Sequence, residues 1–213
     1  MKIKNKMPKF DDRIHVELIK NKWVPLKEPK SLWSAIFLSI PFMILNAIVT
    51  IGVINIFSSI TLKEFGLASN SISITVNLGA IVLAFLLLIL HELLHLIFIP
   101  NFIRSQKTFI GLTFFGGYVL TEEEISRSRY LLVSMAPFVI ISIFLPILLS
   151  LSGILTPTFK GLILINAMAS SVDILSIVLL LTQVPKKAIL INNGTKTYWK
   201  YKLHENFNEN ITN

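Results

Sequence analysis

The 213-residue chain contains no cysteine. Disulfides, iron–sulfur clusters and thiol nucleophiles are thereby excluded, and any metal must be held by histidine and carboxylate. Histidine is itself scarce, with four in all, and only 15% of the residues are Asp, Glu, Lys or Arg. Charge this sparse cannot solvate the surface of an ordinary soluble domain. The complement of that deficit is a 53% apolar composition and a mean hydropathy of +0.69, which together specify a membrane protein. No internal repeat or low-complexity segment interrupts the chain.

Four apolar runs, 32–60, 72–102, 130–159 and 161–184, each exceed the roughly 20 residues that a helix needs to cross a bilayer. The first and third carry no ionisable side chain of Asp, Glu, Lys, Arg or His, the fourth carries only Asp173, and the second carries only one short polar cluster. Lys and Arg number nine before the first run, one (Lys63) after it, four between the second and third, one (Lys160) before the fourth and five after it. This alternation places both termini and the long middle loop in the cytoplasm and the two short loops outside. The net charge of +8 is then an orientation signal and an attraction to anionic lipid. Nucleic acid is excluded as a partner, since the charges flank spans and form no separate basic domain. The basic start, residues 1–10, is followed by no apolar region until residue 32, so it does not fit a cleaved signal peptide, and the first span is expected to be the insertion signal.

Three segments follow: a cytoplasmic lead-in (1–31), a membrane-embedded core (32–184) and a cytoplasmic hairpin and tail (185–213). In the lead-in, Ile14, Val16 and Leu18 alternate as in a strand, while Phe10, Ile14 and Leu18 repeat as in a helix. Trp23 and Trp33 bracket the start of the first span, as interfacial indoles do. After Pro100, which stops or kinks the second helix, Thr108–Phe115 and Tyr118–Thr121 read as strands around a Gly116-Gly117 turn. Phe114 and Phe115 face lipid or core. Thr121-Glu122-Glu123-Glu124 has capping-box spacing, predicting a helix from there through Arg127 and Arg129 into the third span. Pro137, Pro146, Gly153 and Pro157 kink that span. Beyond Pro185, residues 188–191 and 196–201 read as a hairpin around Asn193-Gly194. The fold class is an all-α integral membrane protein with about four transmembrane helices and small cytoplasmic β-hairpins.

The polar cluster of the second run is His91-Glu92-Leu93-Leu94-His95. On a helix, residues four apart project from one face, so the two imidazoles can hold one zinc ion, and Glu92 can act as general base on the attacking water. A third protein ligand is needed. His15 and His204 lie in polar segments away from the spans and are poor candidates, whereas Asp173 is the only other acid inside a span. Depth supports the pairing. His91 precedes Ile99 by about 12 Å of helix and Asp173 precedes Thr182 by about 13–14 Å at 1.5 Å per residue, in two spans running the same way. Asn166 and Ser170 share the face of Asp173, and Ala167, Ala169 and Ser171 keep that helix slim enough for close approach. Each feature has a plainer reading: the motif as a polar network joining helices, Asp173 as a proton-relay acid or a partner behind a histidine, Asn166 as interhelical glue.

With these residues in place, residues 75–200 resemble the small bacterial membrane family of putative zincin peptidases, and more distantly the site-2 proteases. The resemblance rests on His91-Glu92-x-x-His95, the hairpin loop, Ser134-Met135-Ala136-Pro137, the Asn166–Asp173 helix and the closing hairpin. It implies that Asp173 completes the zinc site and that Asn166 lies by the catalytic centre as a substrate or oxyanion contact. Three features depart from the site-2 pattern: Ile174 follows the Asp where those proteases have Gly, no proline lies between Asn166 and Asp173, and the spacing is one residue shorter. The expectation is an intramembrane zinc metalloprotease of the bacterial cell membrane, with Zn2+ as cofactor, a membrane-embedded or membrane-adjacent peptide or protein as substrate, and the lipid bilayer as surroundings. The strand edge of 108–120 is expected to hold substrate extended beside the metal. The alternatives are a small transporter, an accessory subunit or an inactive peptide-binding scaffold. Oligomeric state is not legible in the sequence.

Overall fold

The computed structural model describes residues 1–213 apart from 4–5, 69–70, 73–76, 114–115 and 202–213. The lead-in forms strand β1 (Lys2–Ile3), helix α1 (Asp12–Lys20) and strand β2 (Val24–Pro25). Of the two periodicities in this segment the helical one prevails over 12–20. The Asp11 side chain accepts from the Arg13 N–H at the N-terminus, with Asp12 in the first turn and Lys20 in the last, charges that suit the helix dipole.

Among the described residues, four helical stretches are long and apolar enough to cross a membrane: Leu32–Phe57, Leu78–Ile97, Arg127–Leu151 and Pro157–Gln183. The first, α2 (Leu32–Phe57), starts at a capping box made by Ser31 and Ser34. A small hairpin, β3 (Leu67–Ala68) with β4 (Ser71–Ile72), precedes α3 (Leu78–Ile97). Helix α3 is shorter than the apolar run 72–102. Asn77 caps its start by accepting from the Gly79 N–H, and the chain turns before Pro100 and through the left-handed Asn101 (φ +53°). Strands β5 (Thr108–Thr113), β6 (Gly116–Thr121) and β7 (Ile125–Ser126) lead to α4 (Arg127–Pro137), a π-helical stretch (Phe138–Phe144) and α5 (Leu145–Leu151). The last span consists of α6 (Pro157–Ala169) and α7 (Ser171–Gln183), and β8 (Ala188–Asn193) and β9 (Lys196–Tyr201) close the described chain.

The helices alternate in direction, and both larger sheets, β1-β5-β6 and β2-β9-β8-β7, sit at one end of the bundle. Helices α2 and α4 begin there; α3 and α7 finish there. Apolar side chains such as Phe37, Ile44 and Ile48 on α2 and Ile81 and Phe85 on α3 are exposed, which suits a lipid surround and would be untenable in water. Polar groups face inward instead. On α2, Ser39, Asn46 and Thr50 are buried toward the last span. There the Asn46 Nδ2 donates to the Ala167 carbonyl at 3.0 Å, and the Ser171 hydroxyl donates to Ser39 at 3.3 Å. These bonds serve the break between α6 and α7. At the sheet end, Leu26, Leu180, Val184, Ala188 and Leu190 form one core cluster, which fixes the second sheet to α7.

Several sequence expectations are corrected. Gly116 and Gly117 are not the turn of the first hairpin but the first residues of β6, paired with Thr113 and Leu112. Phe114, Phe115 and His204 lie outside the described residues. No helix starts at Thr121: that residue ends β6, its hydroxyl accepts from the Glu123 N–H, and Ser126 caps α4 by accepting from the Arg129 N–H. The capping-box pattern loses to the pairing of Ile125 and Ser126 with β8. The second hairpin turns on Gly194-Thr195, since Asn192 and Asn193 are still paired, with Gly194 at φ +56° as a two-residue turn requires. Trp23 is buried with Leu18 and Tyr198 under the second sheet, whereas Trp33 is exposed. Residues 152–156 form the connection between the last two spans, so residues 157–159 belong to the fourth.

Candidate metal centre

The His91-to-His95 motif occupies the last two turns of α3, where 20 residues of strong helix propensity end only at Ile97. Helical spacing stacks the two imidazoles on one face, with their Nε2 atoms 3.2 Å apart. Asp173 enters from the first turn of α7. Its Oδ2 lies 3.5 Å from His91 Nε2 and its Oδ1 3.5 Å from His95 Nε2. One ligand atom from each of the three residues lies within 4.8 Å of the others. The common level that the charge pattern assigned to His91 and Asp173 is the level at which they meet.

The other face of each ring is fixed by its neighbours. His95 Nδ1 donates to the Val133 carbonyl at 2.8 Å. His91 Nδ1 donates to the Asn166 side-chain oxygen at 2.9 Å, and the Asn166 amide nitrogen donates to the Ser142 hydroxyl at 2.9 Å and to the Pro137 carbonyl at 3.4 Å. With both protons committed at Nδ1, each ring turns an Nε2 lone pair toward Asp173. Two lone pairs and a carboxylate facing one point need a cation among them. Their spacing also suits zinc, for which tetrahedral ligands about 2.0–2.1 Å away stand about 3.3–3.4 Å from one another. The donor set therefore fits the ion.

Asn166 is where α6 was expected to carry it, beside the centre, and it is buried. Its amide oxygen and nitrogen are engaged with His91, Ser142 and Pro137. Ser142 reaches it because the stretch Phe138–Phe144 is π-helical, the Leu145 N–H bonding to the Ile140 carbonyl five residues back. π-Helical turns of this kind recur at functional sites. His15 stays apart from the centre, its Nδ1 2.7 Å from the Tyr198 hydroxyl.

Glu92 shares a cleft of about 550 Å³ with His91, His95, Asn166 and Asp173. Across the cleft runs β6. A Cβ placed on Gly117 would come within 2.3 Å of Glu92 Cγ, so only glycine lets the strand approach the acid this closely. Among the described residues β5 is the strand partner of β6; the Thr121 carbonyl of β6 accepts from Asn192 Nδ2 at 2.9 Å, and Gly116 to Val119 line the cleft of the metal donors. Ser142, Val133 and Asn46 carry no signal in the sequence for these roles. The Gly116-Gly117 pair was visible but was read as a turn; its place within a strand run was the signal for close backbone approach.

No curated protein and no solved structure matches the chain. A family model described as putative zincin peptidase matches residues 84–189, a stretch that holds His91, Glu92, His95, Gly117, Asn166 and Asp173 and the family for which zinc is implied; over that stretch the chain belongs to the putative zincin peptidase family.

Proposed function

We propose that the chain is an intramembrane zinc metalloendopeptidase that hydrolyses peptide bonds of membrane-embedded or membrane-adjacent peptides, with both termini in the cytoplasm. The observation that carries this reading is the convergence of two oriented imidazole lone pairs and one carboxylate in a cleft that also holds an acid bound by no partner among the described residues. His91, His95 and Asp173 would hold the metal. The chemistry that zinc supplies when bound is Lewis acidity toward a water and toward the scissile carbonyl. Glu92 takes a proton from the attacking water and passes it to the departing amine nitrogen. Asn166 and Val133 keep the two imidazoles in the tautomer that leaves Nε2 available. The stretch of β6 that lines the cleft offers main-chain hydrogen bonds to an extended substrate, which suits a protease because helical peptide bonds are shielded.

A ligand-only site for transport or assembly has no need of Glu92 in the cleft, nor of a glycine strand pressed against it. Glu92→Gln should retain about one zinc per chain, as measured on the purified protein, while cleavage of membrane peptides stops. Joint loss of zinc and cleavage in that variant would make Glu92 structural and defeat the reading. In cells, the peptides that accumulate with Glu92→Gln relative to the parent protein identify the substrate.

A further inference from the structure

A second cavity, of about 200 Å³, adjoins the metal site, and the two share His95, Val119, Asp173, Ser176 and Thr195. A single water needs about 10–15 Å³ by the same measure, so the space is that of a side chain. Besides Asp173 the acid in its lining is Glu28, and no Lys or Arg lines it. We infer that this cavity is a subsite for a cationic side chain, a lysine or arginine of the bound peptide, paired with the Glu28 carboxylate; the inference rests on the proteolytic reading for the identity of the ligand as a peptide.

Glu28 is held in place from one side only. Its Oε2 accepts from the Thr197 N–H at 3.0 Å and its Oε1 from the Thr197 hydroxyl at 2.8 Å. In this it replaces a carbonyl in the β2–β9 ladder, one step after the Leu26 N–H donates to the Thr197 carbonyl. A ladder acceptor needs no charge. Burial pushes the Glu28 carboxyl above its ordinary range, against the Thr197 bonds and the field of Lys196, so ionisation at this place is costly until a cation arrives. Two of the carboxylate's roughly four acceptor sites remain for it. Among the described residues, no Lys or Arg forms an ion pair with Glu28.

The order of surroundings along β6 says which peptides suit the site. Near Gly117 the cleft is lined by Leu87 and Leu88, and the cavity that Thr121 lines is bounded by Tyr130, Asn192, Thr197 and Glu28. A strand laid on this edge passes from an apolar to an acidic polar environment. A membrane span followed by its positively charged cytoplasmic flank has the matching order. The substrate class is therefore a membrane peptide with a lysine or arginine within a few residues of the cleaved bond, on the flank side.

Binding can be read apart from cleavage. Zinc-loaded Glu92→Gln protein in detergent, with and without Glu28→Gln, would be titrated with fluorescein-labelled peptides that join a leucine-rich segment to a polar flank. One lysine is moved through the flank positions, each peptide having a glutamine twin and an Nε-acetyl-lysine twin. At one or two adjacent positions lysine should bind roughly tenfold tighter than either twin, the size of one charge-assisted pair. Glu28→Gln should bring that ratio close to one. A ratio that survives Glu28→Gln, or the absence of lysine preference at every position, overturns the subsite. The acetylated twin makes the same test with Glu28 intact, so a misfolded variant does not leave the question open. Cleavage of the same peptides by the parent protein is scored separately. Lysine preference without cleavage defeats the protease reading and keeps the subsite; cleavage without Glu28-dependent preference does the reverse.

Discussion

Gly117 and Asn166 show two ways in which a single residue supports the centre without binding metal. Gly117 supports it by absence, because a methyl group there would displace the Glu92 side chain. Gly117→Ala should lower turnover roughly 10–100-fold, the usual consequence of moving a reacting group by about an ångström. Zinc content should be unchanged, and metal analysis beside single-turnover kinetics checks both. Asn166 supports the centre by its bond to His91 Nδ1. Asn166→Ala should weaken zinc binding by roughly 10–100-fold, as loss of such an orienting partner does, measured by chelator competition. A role in contacting substrate would instead raise KM at full zinc occupancy, so the one variant distinguishes the two.

At the scale of elements, the last span is built to be broken and re-joined. The α6–α7 boundary directly precedes Asp173, and its loosened backbone is bonded by Asn46 and by the Ser170 hydroxyl, which donates to the Asn166 carbonyl. At its far end, Lys160 in the first turn of α6 is almost fully buried, an unfavourable place for a cation near a helix N-terminus. Its ammonium is compensated by Glu64 at 2.9 Å and the Ser59 carbonyl at 2.6 Å, which staple α6 to the connection after α2. Lys160→Met leaves Glu64 unpaired and should lower stability by roughly 1–3 kcal/mol, less than a fully buried pair costs because Glu64 is partly exposed. Lys160→Met combined with Glu64→Leu should recover much of it. Thermal unfolding of the single and double variants in one detergent measures the difference.

At the scale of the whole molecule, both larger sheets lie at one end of an alternating bundle and Lys63 lies at the other. Because the chain has no cysteine, single cysteines can be introduced without altering anything else. Gln106 and Lys196 replaced by cysteine should label only from the cytoplasm, and Lys63 and Thr158 only from outside. Labelling of positions 63 and 106 from the same side would overturn the alternation. It would also separate a substrate's positive flank from Glu28, since the two meet only with the sheet end in the cytoplasm.

The sequence by itself determined the spans, their alternation and the metal donors. Apolar length and the placement of Lys and Arg depend on the bilayer rather than on tertiary contacts, and the pairing of His91 with His95 needs only helical spacing. Asp173 was legible for a related reason: an acid inside a span is costly enough to need a partner, and depth left the histidines as that partner. What surrounds the donors was decided by tertiary structure. Gly116-Gly117 has the composition of a turn and became strand by pairing with Thr113 and Leu112, with Glu92 of another element filling the space of a side chain at Gly117. Thr121–Glu124 has the pattern of a helix start and was overruled by pairing with a strand some 65 residues onward. Glu28 gave no sequence signal at all, since its burial depends on Thr197, 169 residues away. Local patterns record what a segment prefers alone; close approach, strand partners and burial are properties of the neighbours that the fold brings to it.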